Sequence, residues 1–172
     1  ILNELKNHSV SARSITSKEN NIINVKAISE ELGFVGTPYT IDVDVLKKIV
    51  KVNEVPVIAP LGLNSKNQVY NVNADDIATF VASSLNARRL IIISDVAGVM
   101  DKDNNLISEI NSSKVKEMIK RGEISGGMQV KLNSAINIAH KVKGTVIISG
   151  KKTRSLLFEL LSDSGAGTLI RK

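Results

Sequence analysis

Apolar residues along the chain fall into two alternating rhythms. The first is a set of short continuous runs, VPVIAPLG (55–62), LIIISD (90–95) and GTVIISG (144–150), each bounded by Gly, Pro or polar residues. Runs of that length predict strands buried on both faces. The second rhythm has helical spacing. Val45, Leu46, Ile49 and Val50 recur within Asp44–Asn53, and Ile77, Phe80, Val81, Ser84 and Leu85 within Asn73–Leu85. Leu132, Ile136 and Ala139 predict a helix over Met128–Val142. SSKVKEMIKRGEI (112–124) reads as a capped amphipathic helix, and Ser155–Leu161 as another. HSVSARSITSKENNIINVKAI predicts two β-rich runs around a polar turn at Lys18–Asn21. GTLIRK predicts a closing strand, and Gly33–Pro38 reads as a loop.

Strands and helices therefore alternate with short connections. That order predicts an α/β fold, a three-layer αβα sandwich with a mainly parallel central sheet. The chain has 172 residues, enough for one ordinary domain with a real core. Its 42% apolar and 23% charged residues exclude a disordered chain. No stretch approaches the ~20 apolar residues of a membrane span. The polar start, ILNELKNHS, lacks the apolar centre of a signal peptide. Its first residue is Ile rather than Met, which predicts a chain that begins partway through a protein.

With no cysteine, thiolate chemistry and disulfides are excluded; two distant histidines, His8 and His140, argue against a histidine metal site or a Ser-His-Asp triad. The formal charge is +6, but its basic residues are thinly spread, and aromatics are only 3%. That is too few for a base-stacking platform, so nucleic acid and membranes are not the expected partners. Small anionic substrates remain.

In open α/β sheets, ligands bind beyond the carboxyl ends of strands. Three segments there carry candidate chemistry. Asn71-Val72-Asn73-Ala74-Asp75-Asp76 opens a helix, which Asn73 can cap and whose dipole the Asp pair suits. Asn71 and Asp75 share a face if that helix begins early, an amide and a carboxylate able to orient a polar ligand and a Lys. Ser94-Asp95-Val96-Ala97-Gly98-Val99-Met100 follows a buried strand, as a ligand loop or an ordinary βα connection. Gly126-Gly127 at a helix start presents backbone N–H groups to an anion, and Lys131 follows one turn later; the alternative is a flexible turn before a surface Lys. There is no P-loop and no G-x-G-x-x-G fingerprint. A Lys without a neighbouring base or nucleophile suits phosphoryl transfer, which needs positioning and charge stabilisation.

Four segments together, Asn71-Val72-Asn73-Ala74-Asp75, LIIISDVAGVMD (90–101), GGMQVK (126–131) and GAGTLI (165–170), resemble the acetylglutamate kinases of the amino acid kinase family. Each is short, but their order and spacing match across nearly the whole chain. The resemblance implies ATP-dependent phosphorylation of the side-chain carboxylate of N-acetyl-L-glutamate, in arginine biosynthesis. It implies that Asn71 holds the acetylglutamate, that Asp75 orients catalytic lysines, and that Lys131 stabilises the transferring phosphoryl group. Asp95, Val96, Ala97, Gly98, Val99 and Met100, with Glu123, Ile124 and Ser125, would line the ATP site. Mg²⁺ would be held mainly through the phosphates, with no protein ligand assigned. Aspartokinase, glutamate 5-kinase and uridylate kinase are the nearest alternatives within the family. A non-catalytic nucleotide- or arginine-binding module is the alternative outside enzymology.

The family pattern also includes a Lys-x-Gly-Gly loop, a His-Gly-Gly-Gly-type loop and a substrate-binding Arg. None occurs here, since the one Gly-Gly pair is Gly126-Gly127 and neither His precedes a Gly. The chain is therefore expected to be a partial kinase domain lacking its first strands and inactive alone. Residues 1–70 would be the remainder of the acetylglutamate-binding half and 71–172 the nucleotide-binding half. LFELLSDSGAGT (157–168) resembles the C-terminal segment of arginine-inhibited members, which implies an L-arginine effector at Glu159 and Gly165; those members usually have His where this chain has Arg154. The resemblance further implies a homo-oligomer when intact, and a cytoplasmic location, or a plastid in a eukaryote.

Overall fold

A computed structural model describes residues 1–17, 21–162 and 165–172. The chain divides into two compact units, Ile1–Leu85 and Asn86–Lys172. The first contains α1 (Leu2–Asn7), β1 (Ala12–Ile15), β2 (Ile23–Ala27), β3 (Gly36–Ile41), α2 (Val43–Lys51), β4 (Val55–Ile58), β5 (Leu61–Leu63), β6 (Val69–Asn71) and α3 (Ala74–Ser84). The second contains β7 (Leu90–Ser94), β8 (Glu109–Asn111), α4 (Ser112–Lys120), α5 (Gly126–Asn137), β9 (Thr145–Ser149), α6 (Ser155–Leu161) and β10 (Thr168–Arg171).

In the first unit β1 pairs with β4 in parallel, and a mixed sheet runs in the order β3-β2-β5-β6. The apolar run 55–62, expected as one strand, is two. Pro60 has no N–H to continue a ladder, and the chain passes there from β4, paired with β1, to β5, paired with β2 and β6. The segment 33–38, expected as a loop, enters β3 at Gly36 and places Pro38 inside a strand. That is tolerated because β3 lies at the edge of its sheet. The two β-rich runs at 8–28 are strands but do not pair with each other. The turn expected at Lys18–Asn21 lies, apart from Asn21, outside the described residues. The core gathers Ile15, Ile23 and Val25 with Leu46 and Ile49 of α2 and Ile77 of α3. Val50, at helical spacing, is nonetheless exposed.

The second unit is α/β in layers. Its sheet has the order β7-β9-β10-β8, with β7–β9 and β8–β10 parallel and β9–β10 antiparallel. Every residue of β9 is buried, as its unbroken apolar run requires. On one face Ile92, Ile147 and Ile170 pack with Val115 and Met118 of α4 and Leu132 and Ala135 of α5. On the other, Val146 and Ile148 pack with Ala166, and α6 contacts β9. The helix expected over 128–142 begins two residues earlier and ends at Asn137. The helix expected over 112–124 ends at Lys120, before Gly122 at φ +72°. Gly167, just before β10, leaves no room for a side chain beside β9, since a Cβ there would fall 1.9 Å from the Ile147 carbonyl oxygen. Among the described residues no helix is long and apolar enough to cross a membrane.

Candidate functional site

The second unit carries a cleft of about 510 Å³ at the carboxyl end of β7. Its walls come from two segments distant in sequence. Ser94, Asp95, Val96, Gly98, Val99 and Met100 form one, as the chain leaves β7. Glu123, Ile124 and Ser125, followed by Gly127, Met128 and Lys131 of the first turns of α5, form the other. Of the ten second-unit residues expected around the nucleotide, counting Lys131, only Ala97 lies outside the lining. Ser94, Gly127 and Met128, which belong to the candidate segments Ser94–Met100 and GGMQVK but carried no assigned nucleotide role, line the cleft as well.

Local chemistry explains the shape. The Ser94 hydroxyl donates to Asp95 Oδ1 at 3.1 Å, and the Ser94 carbonyl accepts from the Gly150 N–H at 2.7 Å, which fixes the strand end. Gly98 has φ +151°, and a Cβ there would fall 2.4 Å from Thr168 Oγ1, so only glycine fits that turn. On the opposite wall, Glu123 donates its N–H to the Met118 carbonyl at 3.0 Å and lies 3.9 Å from Arg121. Ser125 precedes α5 and makes no side-chain capping bond, while Gly126 adopts φ +57°. A helix start of this kind faces an anion with backbone N–H groups and the positive end of its dipole. Lys131 adds a full cation on the same helix. Phosphate oxygens therefore fit one wall of the cleft. Among the described residues there is no group of three or more His, Cys, Asp or Glu able to hold a metal ion. A magnesium ion carried in by nucleotide phosphates is compatible with that donor set.

Asn71 and Asp75 belong to the first unit. Asn71 ends β6, exposed, with its N–H donated to the Phe34 carbonyl at 2.8 Å. α3 begins only at Ala74, so Asn71 is not on it and the shared helical face of Asn71 and Asp75 is not formed. The reason is the cap: Asn73 Oδ1 accepts from Asp75 N at 2.9 Å and Asp76 N at 3.3 Å, which fixes the helix start one residue later.

Glu159 and Gly165 line a second pocket of the second unit, about 290 Å³, with Arg89, Ser108, Glu109 and Arg171 among its walls. Glu159 is only 5% exposed. Its Oε1 accepts from Arg89 Nη1 at 2.8 Å and its Oε2 from the Ala166 N–H at 3.0 Å. Arg89 also donates to the Glu159 carbonyl at 3.2 Å. Arg89, which no sequence motif marked, thus balances the buried carboxylate. Asp163 and Ser164, inside the arginine-type segment, lie outside the described residues.

Comparison with known proteins fits this arrangement. The acetylglutamate kinase of Pelagibacter ubique (strain HTCC1062) is 55% identical over 172 residues, which is 99% of this chain and 59% of that protein. The acetylglutamate kinase of Campylobacter fetus is 38% identical over 169 residues, 97% of this chain and 60% of that protein. The chain thus spans about 60% of the length of these curated relatives. Among solved structures, smu.665 from Streptococcus mutans UA159 superposes with a TM-score of 0.83 at 27% identity, covering 98% of this chain and 64% of that one. The model of the amino acid kinase family matches residues 2–149. With that match spanning most of its length, and a layered α/β unit whose cleft lies at a strand's carboxyl end, the chain belongs to the amino acid kinase family.

Proposed function

We propose that this chain is part of an acetylglutamate kinase, and that the cleft of its second unit takes ATP. The observation that carries the reading is the meeting of Asp95–Met100, Glu123–Ser125 and Lys131 around one cavity. In the reaction, an oxygen of the acceptor's side-chain carboxylate attacks the γ-phosphorus, the bond to the β,γ-bridging oxygen breaks, and ADP leaves with that electron pair. Magnesium, carried on the phosphates, supplies charge neutralisation there. Lys131 and the N–H groups at the start of α5 stabilise the negative charge on the transferring group. The loop after β7 and the Glu123–Ser125 segment enclose the nucleoside. Asn71 would hold N-acetyl-L-glutamate and Asp75 would orient lysines by charge. On this reading residues 71–172 form the nucleotide half, and the protein works in the cytoplasm as a homo-oligomer.

The Glu159 pocket supports a second role, an L-arginine effector site. A buried carboxylate close to Gly165 suits a guanidinium. Arg89 already makes that contact, so an arginine ligand would have to displace it. Calorimetry of the chain with Mg·ATP and, separately, with L-arginine tests both readings. Saturable ATP binding that Asp95→Ala weakens is the expected result. Arginine binding without ATP binding would replace the kinase reading with a sensor module.

A further inference from the structure

Thr168 opens β10 and is 0% exposed. It does not line the cleft, yet its hydroxyl makes two bonds, one to Val99 in the cleft wall and one to Ile107, which faces Val99 from behind that wall's loop. Thr168 Oγ1 donates to the Ile107 carbonyl at 2.6 Å and accepts from the Val99 N–H at 2.8 Å. Val99 and Ile107 face each other across a small hairpin, where the Ile107 N–H donates to the Val99 carbonyl at 2.9 Å and Met100 bridges Leu106. One hydroxyl, acting as donor and acceptor at once, therefore ties both arms of the hairpin to the sheet. Gly98 is laid directly against it, with no room for a Cβ beside Oγ1.

We infer that Thr168 is a positioning residue for the nucleotide. It holds Gly98-Val99-Met100 in the line that shapes one wall of the cleft. Valine has the same outline without the hydroxyl. Thr168→Val would leave the buried Val99 N–H and the part-buried Ile107 carbonyl without this partner, and a buried backbone group moves to recover a hydrogen bond. The wall then shifts, although Thr168 never touches the ligand. Serine keeps the hydroxyl and loses only a methyl. The inference rests on reading the cleft as a nucleotide site, so its test has one arm that needs no nucleotide.

In the first arm, backbone amide exchange is followed by NMR in the whole chain without ligand. Thr168→Val is expected to speed exchange at Val99 by about tenfold or more relative to Ile147 in β9, with Thr168→Ser near the parent. Unchanged exchange at Val99 overturns the inference. In the second arm, Mg·ATP is titrated calorimetrically. Thr168→Val is expected to bind about tenfold more weakly, the scale of one lost buried hydrogen bond, and Thr168→Ser to restore affinity. Equal affinity of parent and Thr168→Val overturns it. A parent that binds no ATP instead overturns the nucleotide reading of the cleft, an outcome distinct from failure at Thr168. Should Thr168→Val fail to fold, Thr168→Ala, which removes the same hydroxyl with less bulk in its place, takes its role in both arms with the same criteria.

Discussion

Lys131 carries a full cation in a cleft that also presents the Asp95 and Glu123 carboxylates. Its charge matters most where negative charge develops on a transferring phosphoryl group. In any longer protein of which this chain forms part, Lys131→Ala should lower kcat by about a hundredfold or more, with a much smaller effect on Mg·ATP affinity. Steady-state kinetics beside direct binding separates the two, and an unchanged kcat removes Lys131 from catalysis. Two glycines make a sharper pair. A Cβ on Gly167 meets the Ile147 carbonyl oxygen, whereas one on Gly127 meets nothing within 4 Å. Gly167→Ala must push β10 off β9 and should cost about 3 kcal/mol by urea unfolding. Gly127→Ala should be neutral or stabilise by up to ~1 kcal/mol, because alanine favours the helix it enters. Equal midpoints for the two variants would contradict this account of the β9–β10 contact.

The hairpin from Val99 to Ile107 is the element that couples cleft to sheet, and a carboxylate closes its turn. Asp101 Oδ1 accepts from the Asn105 N–H at 2.8 Å and the Asp103 N–H at 2.9 Å. The Asn105 backbone bond above all holds the Asp101 carboxyl below its usual value; desolvation, the next largest influence, opposes it, and the Asn105 side-chain amide, the Asp103 N–H and Lys102 add to the lowering. A depressed folded-state pKa means that Asp101 stabilises the turn above its unfolded pKa. That contribution fades as pH falls through the folded value. Carboxyl and amide NMR titration should show the Asn105 amide losing its shifted position together with Asp101 protonation, at a pH below the ordinary aspartate value. A midpoint at or above the ordinary aspartate value would refute it. This element also shows where sequence legibility ended. Long runs and long helices announce themselves by apolar period, which is why β7, β9, α2 and α3 were readable. β6 and β8 have three residues each and exist only because partners pair with them, Leu61–Leu63 for one and β10 for the other. β3 was hidden by Pro38, whose edge position no local signal reveals. The start of α3 was set by Asn73, a cap the sequence did display, and Asn73→Ala should cost about 1 kcal/mol in thermal or urea unfolding.

At the scale of the whole chain, the cleft was legible because its residues sit in motifs, and motifs survive without knowledge of packing. The support behind them was not. Thr168 lies 69 residues from Val99 in sequence, and Arg89 lies 70 from Glu159; nothing local links either pair. The division into Ile1–Leu85 and Asn86–Lys172 assigns cleft and first-unit candidates to different units, and it bears on what the 172-residue chain can do by itself. The cleft proposed for the nucleotide lies in one unit, so on that reading binding needs only that unit to be formed. Phosphoryl transfer asks more: an aligned acceptor and charge stabilisation from several directions. The 172 residues contain no Lys-x-Gly-Gly loop, so on the proposed reading Lys131 and the start of α5 would supply the cation and the amides for the phosphates. Losing one set of oxyanion donors typically costs ~3 kcal/mol of transition-state stabilisation, and a second lysine adds to that. The chain alone should therefore bind Mg·ATP measurably while forming acyl phosphate from N-acetyl-L-glutamate at a rate reduced by at least ~10²-fold from that of a complete enzyme. Trapping the product with hydroxylamine, beside ATP calorimetry on the same preparation, checks both halves. Turnover near that of a complete enzyme would show that the cleft's own residues suffice for catalysis.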